Sequence, residues 1–486
     1  MNSRAFGADI HPSGAAAATT AQDVDRQVAA LVARARTAQR DFVRGGQQAL
    51  DTAACAAAWA IMESTRNRQL AELAVHDTGL GNVEDKIQKN FRKTLGLLRD
   101  LHGRKTHGVI AEDTQKGIVE IARPVGVVAA ITPSTNPAAT PANKIVNALK
   151  CGNAVIVAPS PKGHSACALL LKFIHAELAK ANLSPDLVQM LPDPVTKAAT
   201  AALMRQADLI VATGSQANVR MAYTSGTPAF GVGAGNVASI VTASADLQDA
   251  ANKIARSKTF DNATSCSSEN SIVIEGGVYD AMIDALRAAG GAVLNANQKR
   301  ALQDVMWVEG KLSGNCTAKS AQVIAQLAGL HDVAAQHPAF LMVEESGAGT
   351  DYPFSGEKLS PVLTVYRAQD FSDAISLVER IYAYMGAGHS VGLHGADRTQ
   401  AVQLGETLPV ARVIVNQAHC FATGGNFDNG LPFSLSMGCG TWGRNNFTDN
   451  LNYRQYLNVT RVAYPIEATV PEVDDLLGDY FGRFGR

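Results

Sequence analysis

Between Val125 and Thr242 the chain alternates strand-like apolar runs with helix-length segments. The runs are VGVVAAI, NAVIVA, LVQML, DLIVAT and VASIV, and the helical pieces fall near 138 to 150, 165 to 182, 194 to 205 and 217 to 225. Alternation of this kind predicts an α/β fold built on a doubly wound parallel sheet with helices on both faces. Ligands on such sheets bind past the carboxyl ends of the strands, where helix N-termini present free backbone N–H groups. A nucleotide cofactor is the expected ligand.

The Gly-rich stretch 231 to 235 (GVGAG) superficially resembles a dinucleotide loop, but the strand VASIV follows it where a helix would be required. Thr213-Gly214-Ser215 is the better phosphate-loop candidate, because it follows the strand DLIVAT and opens a helix. Upstream, residues 21 to 103 read as helical, with breaks at Gly45-Gly46 and at 79 to 82. Apolar residues on either side of the polar DTQKG turn predict a hairpin near 106 to 123.

The 486 residues, 46% of them hydrophobic, are enough for two or three domains. A formal charge of −1 gives no electrostatic case for nucleic acid or a membrane surface, and no run approaches the ~18 apolar residues of a membrane span. The first twenty residues lack an apolar core of signal-peptide length and read as a loose tail, so a soluble, cytoplasmic protein is expected. Seven dispersed cysteines without a CxxC pair fit a reducing compartment better than a disulfide framework or a zinc site. The eleven histidines form no HxxxH or HExxH spacing, and no metal is expected.

One cysteine stands apart. Cys266 lies in FDNATSCSSENS (260 to 271), between a helix-period segment (Leu247, Ala250, Ala251, Ile254) and a strand-like run (Ser271 to Glu275). Most free cysteines pack as inert small hydrophobes. Here Asp261, Asn262, Thr264, Ser265, Ser267, Ser268 and Glu269 surround the thiol, company that apolar packing does not require. A loop fixed at both ends is a good mount for a nucleophile. Cys55, Cys151 and Cys167 sit among apolar neighbours and, with Cys420 and Cys439, read as structural.

Eight motifs in order give the chain a family resemblance: DTGLGNVEDKIQKN, RPVGVVAAITPSTNPAAT, ATGSQANVRMAYTSG, GVGAGN, FDNATSCSSENS, GEKLSPVL, GAGHS and MGCGTWGRNN. From about residue 25 to 465 the chain resembles the aldehyde dehydrogenase superfamily, and within it the CoA-acylating aldehyde dehydrogenases. The resemblance implies that Cys266 is the nucleophile and that Asn136, in the STNP turn, is the side-chain donor to the developing oxyanion. It implies a cofactor, NAD or NADP, held by Thr132, Pro133, Gly214, Ser215 and Glu357, with coenzyme A as co-substrate. His389 in GAGHS matches a family histidine near the cofactor cleft, and the sequence leaves its role open.

Departures from the superfamily pattern bear on the reaction. The glutamate that activates water in hydrolytic members has Gly231 at its place, and the lysine many members use near the adenosine ribose is replaced by Ala158. Without the carboxylate, a thiol is the better second substrate. The segment GTWGRNNFTDNLNYRQYLNVTRV and the tail DYFGRFGR are similar to members acting on sulfoacetaldehyde, with those acting on succinate semialdehyde next. An anionic aldehyde would need a cation in its pocket, and Lys144, Arg444 and the polar His419 are the candidates. Acetaldehyde as substrate, a hydrolytic enzyme releasing free acid, and a catalytically silent scaffold subunit are the alternatives. The resemblance further implies a cofactor domain over 1–235 with an oligomerisation hairpin, a catalytic domain over 236–440, a C-terminal segment over 441–486, and a homodimer or homotetramer.

Overall fold

The computed structural model describes residues 21–233 and 235–486, so the tail expected over the first twenty residues lies outside the described residues. Four helices lead the chain: α1 (Ala21–Val43), α2 (Gly46–Met62), α3 (Ser64–Thr78) and α4 (Val83–Leu101). The expected breaks at Gly45-Gly46 and Gly79 to Asn82 are present, and Glu63 adds one that the Ala-rich pattern hides. Its carboxylate caps α3 by accepting from the Thr65 and Arg66 N–H groups.

The hairpin follows as β1 (Gly108–Asp113) and β2 (Ile118–Pro124), antiparallel to one another. A third strand, Leu457–Ala463 near the C-terminus, pairs with β2 along its length. Next come β3 (Val127–Thr132), α5 (Ala139–Lys150), β4 (Ala154–Pro159), α6 (His164–Lys180), β5 (Val188–Met190), α7 (Lys197–Gln206), β6 (Leu209–Thr213), α8 (Gln216–Tyr223) and β7 (Ala229–Val232). The five strands form one parallel sheet in the order β5-β4-β3-β6-β7. The chain runs outward from β3 through β4 to β5, then returns to the other side at β6, so the topological switch point lies between β3 and β6.

One strand assignment changes. VASIV forms β8 (Val237–Val241) of a second sheet, and the fifth strand of the first sheet is AFGV, β7. A run of four residues with a central glycine carries little strand signal, and periodicity cannot say which sheet a buried run joins. The second sheet has seven parallel strands, ordered Gly291–Val293, Phe340–Glu344, Val362–Ala368, β9 (Glu269–Glu275), β8, Val391–His394 and Val413–Val415. The helix α9 (Leu247–Thr259) joins β8 to β9. Among the described residues, no helix is long and apolar enough to cross a membrane.

Asn153 ties three of these parts together. Its Oδ1 accepts from the Val125 and Gly126 N–H groups at 2.8 and 3.0 Å, and its Nδ2 donates to the Tyr456 carbonyl at 2.9 Å. The residue is fully buried. Asn153→Ala leaves two part-buried donors and one buried acceptor without partners, and the expected loss is about 2–4 kcal/mol in urea denaturation. A loss below about 0.5 kcal/mol, the usual range of a surface change, would mean that water replaces the amide there.

Candidate active site

The loop carrying Cys266 begins with a left-handed turn. Asp261, Asn262 and Ala263 have φ of 51°, 50° and 57°, a region that costs non-glycine residues roughly 1–2 kcal/mol each. The buried Asp261 carboxylate holds the turn. Its Oδ1 accepts from the Asn82 N–H at 2.9 Å, and its Oδ2 accepts from Lys89 Nζ at 2.5 Å, Thr264 Oγ1 at 2.7 Å and Lys86 Nζ at 3.1 Å. The Asp261 N–H in turn donates to Asp85 Oδ2 at 2.7 Å. Burial by itself would raise this carboxyl, yet Lys89 and Lys86 hold it below the usual carboxylate range. Gly81, at φ 74°, is where the chain passes closest, and a Cβ there would collide with the Asp261 carboxylate.

The two lysines reach on to the STNP turn. Lys86 Nζ donates to the Thr135 carbonyl at 3.0 Å, and Lys89 Nζ donates to Asn136 Oδ1 at 2.9 Å. Lys89 also donates to Thr264 Oγ1 at 3.0 Å, two residues before Cys266. The structure thus links Asn136 to the Cys266 loop through one ammonium group.

On the other side of the thiol stands His389, whose Nε2 is 3.6 Å from Cys266 Sγ. His389 Nδ1 meets Ser390 Oγ at 2.7 Å, and Ser390 Oγ meets His419 Nε2 at 2.8 Å. Arg412 fixes the histidine backbone by donating to the His389 carbonyl at 3.1 Å. Burial, and next the Arg412 charge, lower the His389 pKa to about 3, so the ring is neutral at physiological pH. Burial, then the Glu357 and Cys439 charges, push the Cys266 thiol up to about 12. The proton therefore rests on sulfur, 3.6 Å from a neutral imidazole nitrogen able to receive it.

Gly235 lies where these groups converge. A Cβ there would stand 2.7 Å from the Cys266 carbonyl oxygen and 2.9 Å from His389 Cδ2, and the Gly235 N–H donates to Glu357 Oε1 at 3.2 Å. Burial raises the Glu357 carboxyl to about 8, the Gly235 N–H pulling the other way. Gly231 is equally closed. Its N–H donates to Tyr223 Oη at 3.0 Å, and a Cβ would lie 2.8 Å from Val219 Cγ1 and 3.0 Å from Tyr223 Cε2.

The switch point sets Thr132 and Pro133, at the end of β3, beside Thr213-Gly214-Ser215, at the end of β6; Ile131 pairs with Ala212 just below. Ser215 caps α8 by accepting from the Asn218 N–H. Thr132 Oγ1 and Ser160 Oγ are buried at the carboxyl ends of β3 and β4 without a hydrogen-bond partner among the described residues. Orphaned hydroxyls beside a helix N-terminus fit a polar nucleotide, and Ser160 is a member of this group that sequence reasoning missed.

The three residues proposed to meet an anionic aldehyde are not brought together. Lys144 is fully buried and donates to the Ile131 and Val211 carbonyls at 2.5 and 2.9 Å, and burial lowers its pKa well below the usual range. It binds β3 to β6 and is a structural lysine. His419 is buried behind His389, its pKa held well below the usual value by burial first and then by His389. Arg444 is exposed at the outer turn of the Gly438 to Asn450 segment, with φ 57°. The cations beside the Cys266 loop are others. Lys89 lies over the Phe260 ring at 5.4 Å, and Arg92 and Arg256 lie over the Phe421 ring at 4.8 and 4.4 Å. Phe260 and Phe421 pack against each other with centroids 4.5 Å apart and planes tilted by 53°. The KIQKNFRK spacing on α4 was the available signal, because Lys86, Lys89 and Lys93 share one helix face and all are buried.

Residues 5–302 match the aldehyde dehydrogenase family. The chain belongs to that family. It is 71% identical to a sulfoacetaldehyde dehydrogenase (acylating) of Cupriavidus necator over 98% of this chain and 96% of the relative. It is 34% identical to a succinate-semialdehyde dehydrogenase (acetylating) of Clostridium kluyveri over 92% of this chain and 98% of that one. The solved structure of an acetylating aldehyde dehydrogenase from Geobacillus thermoglucosidasius superposes with a TM-score of 0.88 at 33% identity, covering 93% of this chain and 99% of that one.

Two outcomes follow from the electrostatics. Thiolate formation at Cys266 increases about tenfold per pH unit up to its pKa, so inactivation of the nucleotide-free protein by iodoacetamide is expected to keep rising beyond pH 9. A plateau by pH 8 would show that the thiol is already ionised. Asp261→Ala leaves two buried ammonium groups without their shared carboxylate, and thermal or urea denaturation is expected to register a loss of about 3–5 kcal/mol.

Proposed function

We propose that this protein is a CoA-acylating aldehyde dehydrogenase with Cys266 as its nucleophile. Cys266 passes its proton toward His389 as sulfur attacks the aldehyde carbonyl. The carbonyl oxygen, becoming negative, takes hydrogen bonds from the Asn136 amide and the Cys266 backbone N–H. Bound NAD or NADP supplies the hydride acceptor, next to Glu357 and the Thr132, Pro133, Gly214 and Ser215 crevice. Loss of hydride from the former aldehyde carbon leaves a thioester on Cys266. Once His389 has released the first proton to solvent, it takes the proton of the coenzyme A thiol. That sulfur attacks the thioester carbonyl, and the C–S bond to Cys266 breaks. The expelled cysteine sulfur takes the proton back from His389, leaving the acyl-CoA.

The observation that carries the acylating reading is Gly231. Val219 and Tyr223 occupy the space a side chain would need, so no carboxylate at this position activates water. A thiol substrate has no need of one near neutral pH. The Cupriavidus necator relative is named as acylating and the Clostridium kluyveri relative as acetylating, in keeping with this chemistry.

Sulfoacetaldehyde is the proposed aldehyde, after the Cupriavidus necator relative. The guanidinium groups of Arg92 and Arg256 over Phe421, which packs on Phe260 at the start of the Cys266 loop, support an anionic substrate. A cofactor domain over 1–235, a catalytic domain over 236–440 and a C-terminal segment over 441–486 belong to the same reading. So does a homodimer or homotetramer, built on the open edges of the β1-β2-Leu457–Ala463 sheet.

NADH or NADPH formation from sulfoacetaldehyde is expected only with coenzyme A present, and is lost in Cys266→Ala. Steady turnover without coenzyme A would make the enzyme hydrolytic and remove the argument from Gly231. Arg256→Ala is expected to raise KM for sulfoacetaldehyde about tenfold while leaving acetaldehyde unchanged, one tenfold step being about 1.4 kcal/mol. Equal changes for both aldehydes would take the anion contact away from Arg256.

A further inference from the structure

We infer that Lys89 is a positioning residue that aims the Asn136 amide at the reacting carbonyl; the inference rests on the oxyanion role proposed for Asn136. The two ends of an amide look alike, and only the hydrogen-bond partners decide which way it points. Lys89 decides it here, because an ammonium group can donate and cannot accept. The atom 2.9 Å from Nζ must therefore be Oδ1, and Nδ2 with its two hydrogens is turned to the opposite side. A neutral donor in that place, such as a hydroxyl, would accept as readily as donate and would permit the flipped amide.

The ammonium is itself immobilised. Its three protons have three acceptors: Asp261 Oδ2 at 2.5 Å, Asn136 Oδ1 at 2.9 Å and Thr264 Oγ1 at 3.0 Å. Thr264 donates to Asp261 Oδ2 and so presents a lone pair to Lys89. Lys86 fastens the backbone of the same turn to the same carboxylate, through the Thr135 carbonyl and Asp261 Oδ2. The turn bearing Asn136 is thus held at main chain and side chain by two lysines, and both are anchored on the loop that bears Cys266. A positive charge on Oδ1 also polarises the amide, which makes its N–H groups stronger donors to a developing negative oxygen.

The test is a double-mutant cycle of Lys89→Met and Asn136→Ala in the full-length protein, with aldehyde, coenzyme A and nucleotide varied separately. Asn136→Ala is expected to lower kcat roughly 10²- to 10³-fold. Lys89→Met is expected to lower kcat at least about tenfold with KM for the nucleotide unchanged, and to have little further effect in the Asn136→Ala background. Lys89→Gln, which keeps an N–H donor for Oδ1, is expected to recover part of the loss, and it gives the same cycle should the methionine variant fold poorly. Full kcat in Lys89→Met beside an impaired Asn136→Ala overturns this inference alone. Losses that multiply in the double variant also overturn it, because Lys89 would then act through the fold and not through Asn136. Full kcat in Asn136→Ala overturns the oxyanion reading, and the inference with it.

Discussion

A single buried carboxylate, Asp261, is the constraint on which the site geometry depends. It accepts from the backbone before α4, from two lysines on α4 and from Thr264 in the Cys266 loop. Three consecutive left-handed residues are tolerated there only because those bonds over-determine the turn. Buried ion pairs are poor sources of net stability, since desolvation offsets most of the Coulomb attraction. Their effect is to make one arrangement much better than its neighbours. Any shift of the Cys266 loop relative to α4 would leave a charge buried and unpaired, and the position of the thiol inherits that rigidity.

The electrostatics around the thiol have a consistent direction. Cys266 is raised to about 12, His389 lowered to about 3 and Glu357 raised to about 8, in each case with burial as the first cause. These three groups are held uncharged in the resting site. A neutral thiol beside a neutral imidazole is a poorly reactive pair, and a thiol left alone in that form is protected from adventitious oxidation. Reaction then depends on what enters the crevice, because a positive nicotinamide ring or a developing oxyanion held by donors changes the balance that burial sets. Gly235 permits this crowding, standing against the Cys266 carbonyl and His389 with no side chain of its own.

Much of the fold was legible along the chain. The alternation from Val125 onward gave the parallel sheet, the glycines gave two of the three early helix breaks, and the polar company of Cys266 marked its loop. The places where legibility failed share a cause. AFGV and VASIV are both short buried runs, and which sheet each joins depends on partners far away in sequence. Lys144 looked like a pocket cation because its position on a helix says nothing about which backbone carbonyls lie opposite. Lys89, Arg92 and Arg256 do not stand out along the chain, since long charged side chains on helices are mostly exposed.

What the sequence determined by itself was the inventory and its local setting: a cysteine between a helix and a strand, an asparagine in a turn after the first sheet strand, and a Gly-rich stretch that runs into a strand. Local period and turn chemistry are properties of neighbouring residues, and they can be read in order. Only the tertiary structure decided which of those groups meet. Asn136, Lys89, Asp261 and Thr264 are separated by up to 175 residues along the chain, yet they share one hydrogen-bonded cluster. His389 is 123 residues from Cys266 and lies against its sulfur. Contacts at that separation are fixed by how sheets and helices pack, where the cost of an unpaired buried charge selects one register and excludes the rest.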